Sequence, residues 1–388
     1  MDAELSMVPR TGLRDRWLAL RDRLLASPAF QRRAAAFALS RPTARRHARE
    51  LFDLVAGFVY SQVLAACVRL QLFEILAAGP QTLEALAARL DLAPSAAQRL
   101  LDAACALDLV ERRSDDRFGL GRLGGPLVGN TAVVAMIEHH RALYADLADP
   151  VALLRSDHGH GAVARFWPYA GGAHPDAHGR SPHPLGDERI AAYTTLMAAS
   201  QPLIADEILD AYSFRRHRLL LDVGGGDGSF LIAAARRADR LKLALFDLPA
   251  VADRARGRLR GAGLAGRAEA FGGDFLTDSL PCGADLATLI RVVHDHDDDN
   301  ALAILRATRN ALVPGGRLLL AEPMARTPGA EAMGDAYFGF YLLAMGSGRP
   351  RTSAALADML RTAGFIDVRS LATRMPLQTG LLLACTPK

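Results

Sequence analysis

The sequence predicts an α/β fold, a doubly wound parallel sheet, preceded by a mainly helical region. Three observations carry this. Leu219–Val223 reads as a short apolar strand running into a glycine-dense turn, and Ser229–Ala235 reads as the helix that leaves the turn. Further short runs at Leu241–Phe246, Ala268–Phe271, Asp285–Val293 and Arg317–Ala321 read as strands two to five, with a helix at Ala301–Leu312 stopped by Pro314-Gly315-Gly316. Between Leu51 and Leu76, apolar residues instead recur at helical spacing.

The glycine turn decides what kind of ligand the sheet holds. A strand, a glycine turn and a helix aim backbone N–H groups at a ligand from a positive helix end. The glycines run Gly224-Gly225-Gly226-Asp227-Gly228, without the G-x-G-x-x-G spacing of a dinucleotide site or the lysine of a phosphate loop. Asp222, two residues before Gly224, suits a ligand with a positive end. Asp247 closes the second strand 25 residues after Asp222, where an acid can accept from ribose hydroxyls. Asp274 after the third strand is placed to accept from an adenine amino group, with Phe275 packing on the ring. His294 follows the fourth strand and Glu322 the fifth. Ligands bind at the carboxyl ends of strands in an open parallel sheet, so these five polar residues mark one edge.

Composition bounds the rest. The chain has 388 residues, half of them hydrophobic, and a net charge of +4 that does not by itself imply nucleic acid. No apolar run reads as a membrane span, and Met1–Arg10 lacks a signal-peptide core. The four cysteines, Cys67, Cys105, Cys282 and Cys385, form no C-x-x-C pair and read as reduced thiols. His158, His160, His174, His178 and His183 lie in or near a Gly/Pro-rich stretch, Gly171–Gly186, but no acid or cysteine stands at ligand spacing, so no metal is expected. The basic excess sits at the start, from Arg10 to Arg49, with Leu13, Trp17, Leu20, Leu24, Leu25 and Phe30 at near-helical spacing. Such a helix either lies on an anionic membrane surface or packs on its own protein or a dimer partner.

The region after this extension reads as a helix broken at Gly79-Pro80. A helix Leu83–Leu90 capped by Thr82 follows, then a helix Ser95–Leu107 capped by Ser95, and a hairpin over Leu109–Leu120 turning at Ser114–Asp116. Two helices and a hairpin make a winged helix, which is either a DNA reader or a dimerisation module. The second helix offers Gln98 and Arg99 but is otherwise rich in Ala and Leu, which favours dimerisation. Helical stretches at Ala132–Leu154 and Ile190–Leu209 lead into the sheet. The expected division is a basic extension at 1–46, a helical winged-helix region at 47–195 and the α/β domain at 196–388.

Residues 47–388 resemble the metal-independent, S-adenosylmethionine-dependent small-molecule O-methyltransferases that join a winged-helix dimerisation domain to a Rossmann-like methyltransferase domain. The resemblance rests on Asp222–Gly228, Phe246-Asp247-Leu248-Pro249, Gly273-Asp274-Phe275, Arg291-Val292-Val293-His294-Asp295 and Pro314-Gly315-Gly316-Arg317. Gly57–Gln62, Met136–His140, Leu143-Tyr144, Phe166–Tyr169 and His294-Asp295-His296 look like the carotenoid branch, the demethylspheroidene (hydroxyneurosporene) O-methyltransferases. Bacteriochlorophyllide C-methyltransferases and methyltransferases of phenols or hydroxyindoles are similar, and a ligand-sensing DNA-binding regulator is the reading from another class. The resemblance implies His294 as general base with Glu322 holding its second nitrogen. It implies Asp222, Gly224, Gly226, Asp247, Leu248, Asp274, Phe275 and Arg291 as cofactor residues. Plant members brace the base with a further acid, for which Asp335 and Glu322 are the candidates here, and carry a tryptophan where this chain has His296. The implied enzyme is a cytoplasmic homodimer without nucleic acid, taking a hydrophobic alcohol and touching the inner membrane through its basic extension.

Overall fold

The computed structural model describes residues 12–156, 161–166, 201, 204–375 and 379–388. Trp167, the Gly171–Gly186 stretch, the five histidines at 158–183, most of Ile190–Leu209 and the expected boundary at 195/196 lie outside these residues. The chain divides into two units, Met1–Val128 and Gly129–Lys388.

The first unit opens with α1 (Leu13–Ala26), α2 (Pro28–Ala36) and α3 (Arg41–Arg69). Ser27 starts α2, its hydroxyl accepting from the Phe30 N–H while Pro28 supplies a preset first turn. The helix expected over 51–76 is two helices. Gln71 takes a left-handed φ of 53° and separates α3 from α4 (Leu72–Ala77). α3 also carries an 18-residue window of mean hydropathy 1.8, long and apolar enough to cross a bilayer by length and composition alone, contrary to the reading that no such run exists. Only 17% of that window is buried.

Thr82 caps α5 (Leu83–Arg89) as expected, accepting from the Ala85 N–H. Ser95 does not cap α6 (Pro94–Ala106). Pro94 already has the φ of a first helical residue, so the helix starts one position earlier with Ala93 ahead of it and no side-chain cap. Gln98, freed from a capping role, donates to Asp102. The hairpin forms as read, β1 (Val110–Arg112) pairing antiparallel with β2 (Phe118–Leu120), with Asp115 and Asp116 left-handed at its tip.

The second unit begins with α7 (Thr131–Asp146), α8 (Pro150–Arg155) and α9 (Ala162–Phe166). Pro150 and the Asp149 cap interrupt what the sequence presented as one helical stretch. A helical segment at 204–211 (α10) precedes the sheet. The sheet then assembles from β3 (Leu219–Val223), α11 (Ser229–Arg237), β4 (Lys242–Asp247), α12 (Pro249–Gly261), β5 (Ala268–Gly272), β6 (Ala284–Ile290), α13 (Asp298–Ala311) and β7 (Leu312–Glu322). A π-helix at Ala332–Phe338, α14 (Gly339–Met345), α15 (Ser353–Thr362), β8 (Ile366–Leu371) and β9 (Gly380–Cys385) complete it.

The strand order is β5-β4-β3-β6-β7-β9-β8. β5 to β7 run parallel, and β9 is antiparallel to both its neighbours. The two last strands went unread in the sequence. β3 leads to β4 on one side and touches β6 on the other, so the order reverses between β3 and β6 and opens a crevice at their carboxyl ends. Two apolar layers sandwich the sheet, one around Leu221, Leu289, Leu320 and Leu360, the other around Leu220, Phe230, Leu245 and Leu319. Neighbouring residues of one strand, such as Leu220 and Leu221, serve opposite layers, as strand alternation requires.

Candidate active site

The glycine turn between β3 and α11 is shaped by its neighbours. Gly224 has φ +70°, and a Cβ there would stand 2.7 Å from Val292 Cγ2, so only glycine lets this turn pack on the segment after β6. Among the described residues nothing lies within 4 Å of where a side chain on Gly226 would begin, which leaves the outer face of the turn open to a ligand. Asp247 is 2% exposed and its Oδ2 accepts from the Gly226 N–H at 2.8 Å, while Oδ1 accepts from Leu248 N–H at 2.7 Å. Asp222 lies beneath the turn. Thr288 donates to its Oδ1 at 2.6 Å, and its buried Oδ2 has no hydrogen-bond partner among the described residues. Burial above all, with the nearby Asp247 charge, pushes Asp222 up to about 7 against the Thr288 bond.

Asp274 follows β5, its Oδ1 accepting from Leu276 N–H. Phe275 is buried and meets the His296 ring edge-on at 5.3 Å. The strand expected to reach Val293 stops at Ile290, because Arg291 turns left-handed (φ 56°) and throws the chain into a short 3₁₀ turn, Val293–Asp295. That departure costs about 1–2 kcal/mol for a residue with a side chain, and such backbone concentrates at functional sites. Arg291 N–H still bonds Ala321 O at 2.8 Å.

The turn delivers His294 to Glu322, the last residue of β7. Nδ1 of His294 donates to Glu322 Oε2 at 2.5 Å, and Glu322 Oε1 accepts from the Val292 and Val293 N–H groups at 3.1 and 2.7 Å. Glu322 is thus fixed by backbone and in turn fixes the imidazole, so Nε2 is the nitrogen left for chemistry. Nε2 lies 2.9 Å from Asp295 Oδ1, an ion-pair contact whose direction is not that of a hydrogen bond. Burial lowers the His294 pKa, but the charges of Asp295 and Glu322 outweigh it and hold it up at about 10. Asp335, the other candidate brace, is exposed and accepts from Arg326 N–H instead.

The structure therefore brings Gly224, Gly226, Asp247 and Leu248 together at the turn, places Asp222 below it, and sets His294 and Glu322 beside it through Val292. Asp274 and Phe275 join through His296. Several contributors were not assigned from the sequence. Asp295 was in view as part of a motif, but its approach to Nε2 depends on the 3₁₀ turn. Arg351 is 4% exposed and donates to Val293 O at 2.9 Å and His296 O at 2.7 Å, bracketing His294 from both sides. Phe338 meets the His294 ring at 6.1 Å and Tyr337 at 5.1 Å. Tyr337 and Tyr341 pair with His140 and His139 of α7 at 2.9 and 2.8 Å. Both histidines are pushed below their ordinary value by burial and are neutral at pH 7.

Comparison with known proteins identifies the lineage. The family model of the O-methyltransferase domain matches residues 144–366, and that of the O-methyltransferase dimerisation domain matches residues 52–134. The chain belongs to the O-methyltransferase family. It is 42% identical to a demethylspheroidene O-methyltransferase of Cereibacter sphaeroides, over 94% of each chain. It is 39% identical to one of Rhodobacter capsulatus, over 88% of this chain and 82% of that one. Among solved structures it resembles CalO1, a methyltransferase in calicheamicin biosynthesis in its SAH-bound form, with TM-score 0.71 and 25% identity over 88% of this chain and 98% of that one. Within this O-methyltransferase the open face over Gly226, the Asp247 carboxylate and the Phe275 ring fit a nucleoside donor.

Proposed function

We propose that this O-methyltransferase moves a methyl group from S-adenosylmethionine to a hydroxyl of a hydroxylated carotenoid of the demethylspheroidene or hydroxyneurosporene type. The observation that carries the chemistry is His294, oriented by Glu322 and packed beside the glycine turn. The observation that carries the substrate class is the pair of relatives named for demethylspheroidene, matched along nearly the whole chain.

The turn from Asp222 to Gly226, with Asp247, Leu248, Asp274, Phe275 and Arg291, would hold the donor, which supplies an electrophilic methyl on a sulfonium. The residues of this chain do the rest. With the donor bound, His294 Nε2 would take the hydroxyl proton as the acceptor oxygen bonds to the methyl carbon, the electron pair of the broken C–S bond staying with the donor. A tertiary alcohol is far less acidic than an imidazolium, so proton removal runs with C–O bond formation rather than before it. The acceptor hydroxyl takes the place of Asp295 at Nε2. Withdrawal of that charge lowers the His294 pKa toward the range where it accepts a proton at neutral pH. Alignment of oxygen, carbon and sulfur supplies most of the acceleration.

The reading extends to a homodimer formed through the dimerisation domain, in the cytoplasm and peripheral to the inner membrane, where a carotenoid dissolves. The test is methyl transfer from isotope-labelled donor to purified carotenoid alcohols, bacteriochlorophyllides and hydroxyindoles, read by mass spectrometry. The expected product is a labelled carotenoid ether. His294→Ala should bind donor as wild type does in calorimetry and lose turnover, and near-wild-type turnover would remove His294 from the base role.

A further inference from the structure

Helices α1 and α2 have no buried residue. Helices of 14 and 9 residues are marginal in water without tertiary packing, and little of their apolar surface is covered by the described residues. In α1 the apolar side chains Leu13, Trp17, Leu20 and Leu24 fall on one stripe at helical spacing, exposed by 86, 62, 55 and 42%, while Leu18 and Leu25 lie off it beyond Arg14 and Arg21. At 100° per residue, Arg14 and Arg21 border the stripe on one side and Arg16 and Arg23 on the other, while Asp15 and Asp22 fall opposite. Arginine along both borders suits a water–lipid boundary, with stems over the apolar edge and guanidinium groups among headgroups. Further on, Arg41, Arg45, Arg46 and Arg49 line a cleft of about 660 Å³ together with Ala38 and Pro42. Residues 13–50 hold ten arginines and three acids.

The occupant follows from charge and from the domain match. The dimerisation domain begins at residue 52, so the exposed Phe52, Leu54, Val55 and Phe58 of α3 fall within it, whereas α1, α2 and the arginine cleft precede it. The arginine excess of residues 13–50 repels the same segment of a second copy and attracts an anionic surface. We propose that α1 lies in the interface of an anionic phospholipid bilayer, with the Leu13–Trp17–Leu20–Leu24 stripe in the acyl boundary and the Arg41–Arg49 cleft on phosphate-bearing headgroups. This rests on the membrane contact proposed above and assigns its face and its lipid chemistry.

The experiment is co-sedimentation of the full chain with vesicles of phosphatidylcholine alone or mixed with phosphatidylglycerol, at low and high salt. Wild type should pellet with the mixed vesicles and be released by salt. Trp17→Glu with Leu20→Glu should lower partitioning about tenfold or more, and Arg45→Glu with Arg46→Glu should lower it and flatten the salt dependence. Donor binding by calorimetry and mass by light scattering should match wild type in both, which shows that the variants are folded. Vesicle binding retained by the Trp17/Leu20 variant overturns the assigned face while leaving membrane contact standing. Failure of wild type to pellet overturns both. Loss of dimer mass in either variant assigns the face to a second copy instead.

Discussion

His294 is caught between two carboxylates, and that fixes both its rest state and its pH behaviour. Its folded pKa is raised, so the associated stabilisation is complete below the ordinary histidine value and is lost as pH rises through about 10. Catalysis runs the other way, because only neutral imidazole accepts a proton. We expect kcat/KM to rise with pH and level off only near 10, checked by initial rates in constant-ionic-strength buffers. Glu322→Gln removes one of the two charges while keeping an acceptor for the Val292 and Val293 N–H groups. The rising limb should then move to lower pH, and kcat should fall roughly 10²–10⁴-fold because the tautomer is no longer enforced. Donor affinity should change little. An unshifted profile would mean that Glu322 does not set the charge state of the base.

At the scale of elements, the 293–298 turn has little regular structure of its own and is held by the loop after α14. Arg349 N–H bonds His294 O at 3.0 Å, Ser347 Oγ donates to Asp295 O at 2.8 Å, and Arg351 spans Val293 O and His296 O. Gly348 has φ +75°, and any side chain there would collide with the His294 carbonyl. Arg351→Ala strands buried carbonyls and should cost about 2–4 kcal/mol. As a positioning residue it should also lower kcat more than it raises KM for the acceptor, with Arg351→Lys recovering part of the rate. Thermal melts and steady-state kinetics check both. This loop also marks where the sequence stops being informative. His294 and Glu322 were legible because parallel strands end on one edge, and polar residues at those ends stand out. Arg351 was not, since it lies 57 residues after His294 and reaches the turn through the Val293 and His296 carbonyls and the Asp298 carboxylate, which only the folded loop brings near it. Ser95 misled for a related reason: a capping pattern was present, but Pro94 fixed the helix start one residue before it.

Across the whole second unit, the two ends of the sheet do different work. The carboxyl end carries His294, Glu322 and Asp247. At the opposite end Asp285, beside the start of β6, accepts from the Arg218 and Leu219 N–H groups and from His217 Nδ1 at 3.1 Å. His217 bonds Tyr212 at 2.8 Å, and Arg317 of β7 donates to the same hydroxyl at 2.7 Å. Three adjacent strands are thus tied together at the end remote from the chemistry. Asp285→Ala should cost about 2–3 kcal/mol, a fall in Tm of about 4–12 °C, with kcat unchanged. The pH dependence follows from the signs. Burial pushes Asp285 up, but the bonds from Leu219 and Arg218 and the His217 contact outweigh it and leave its pKa lowered. Its stabilisation is therefore full above the ordinary carboxylate value and is lost as pH falls through the lowered one. His217 is pushed below its ordinary value, by burial first, so it too favours the folded state least in acid. The gap in Tm between wild type and Asp285→Ala should be widest near neutrality and close as pH drops below about 4. A constant gap across that range would mean that the carboxylate's charge contributes nothing to tying the strands, leaving packing as the only cause.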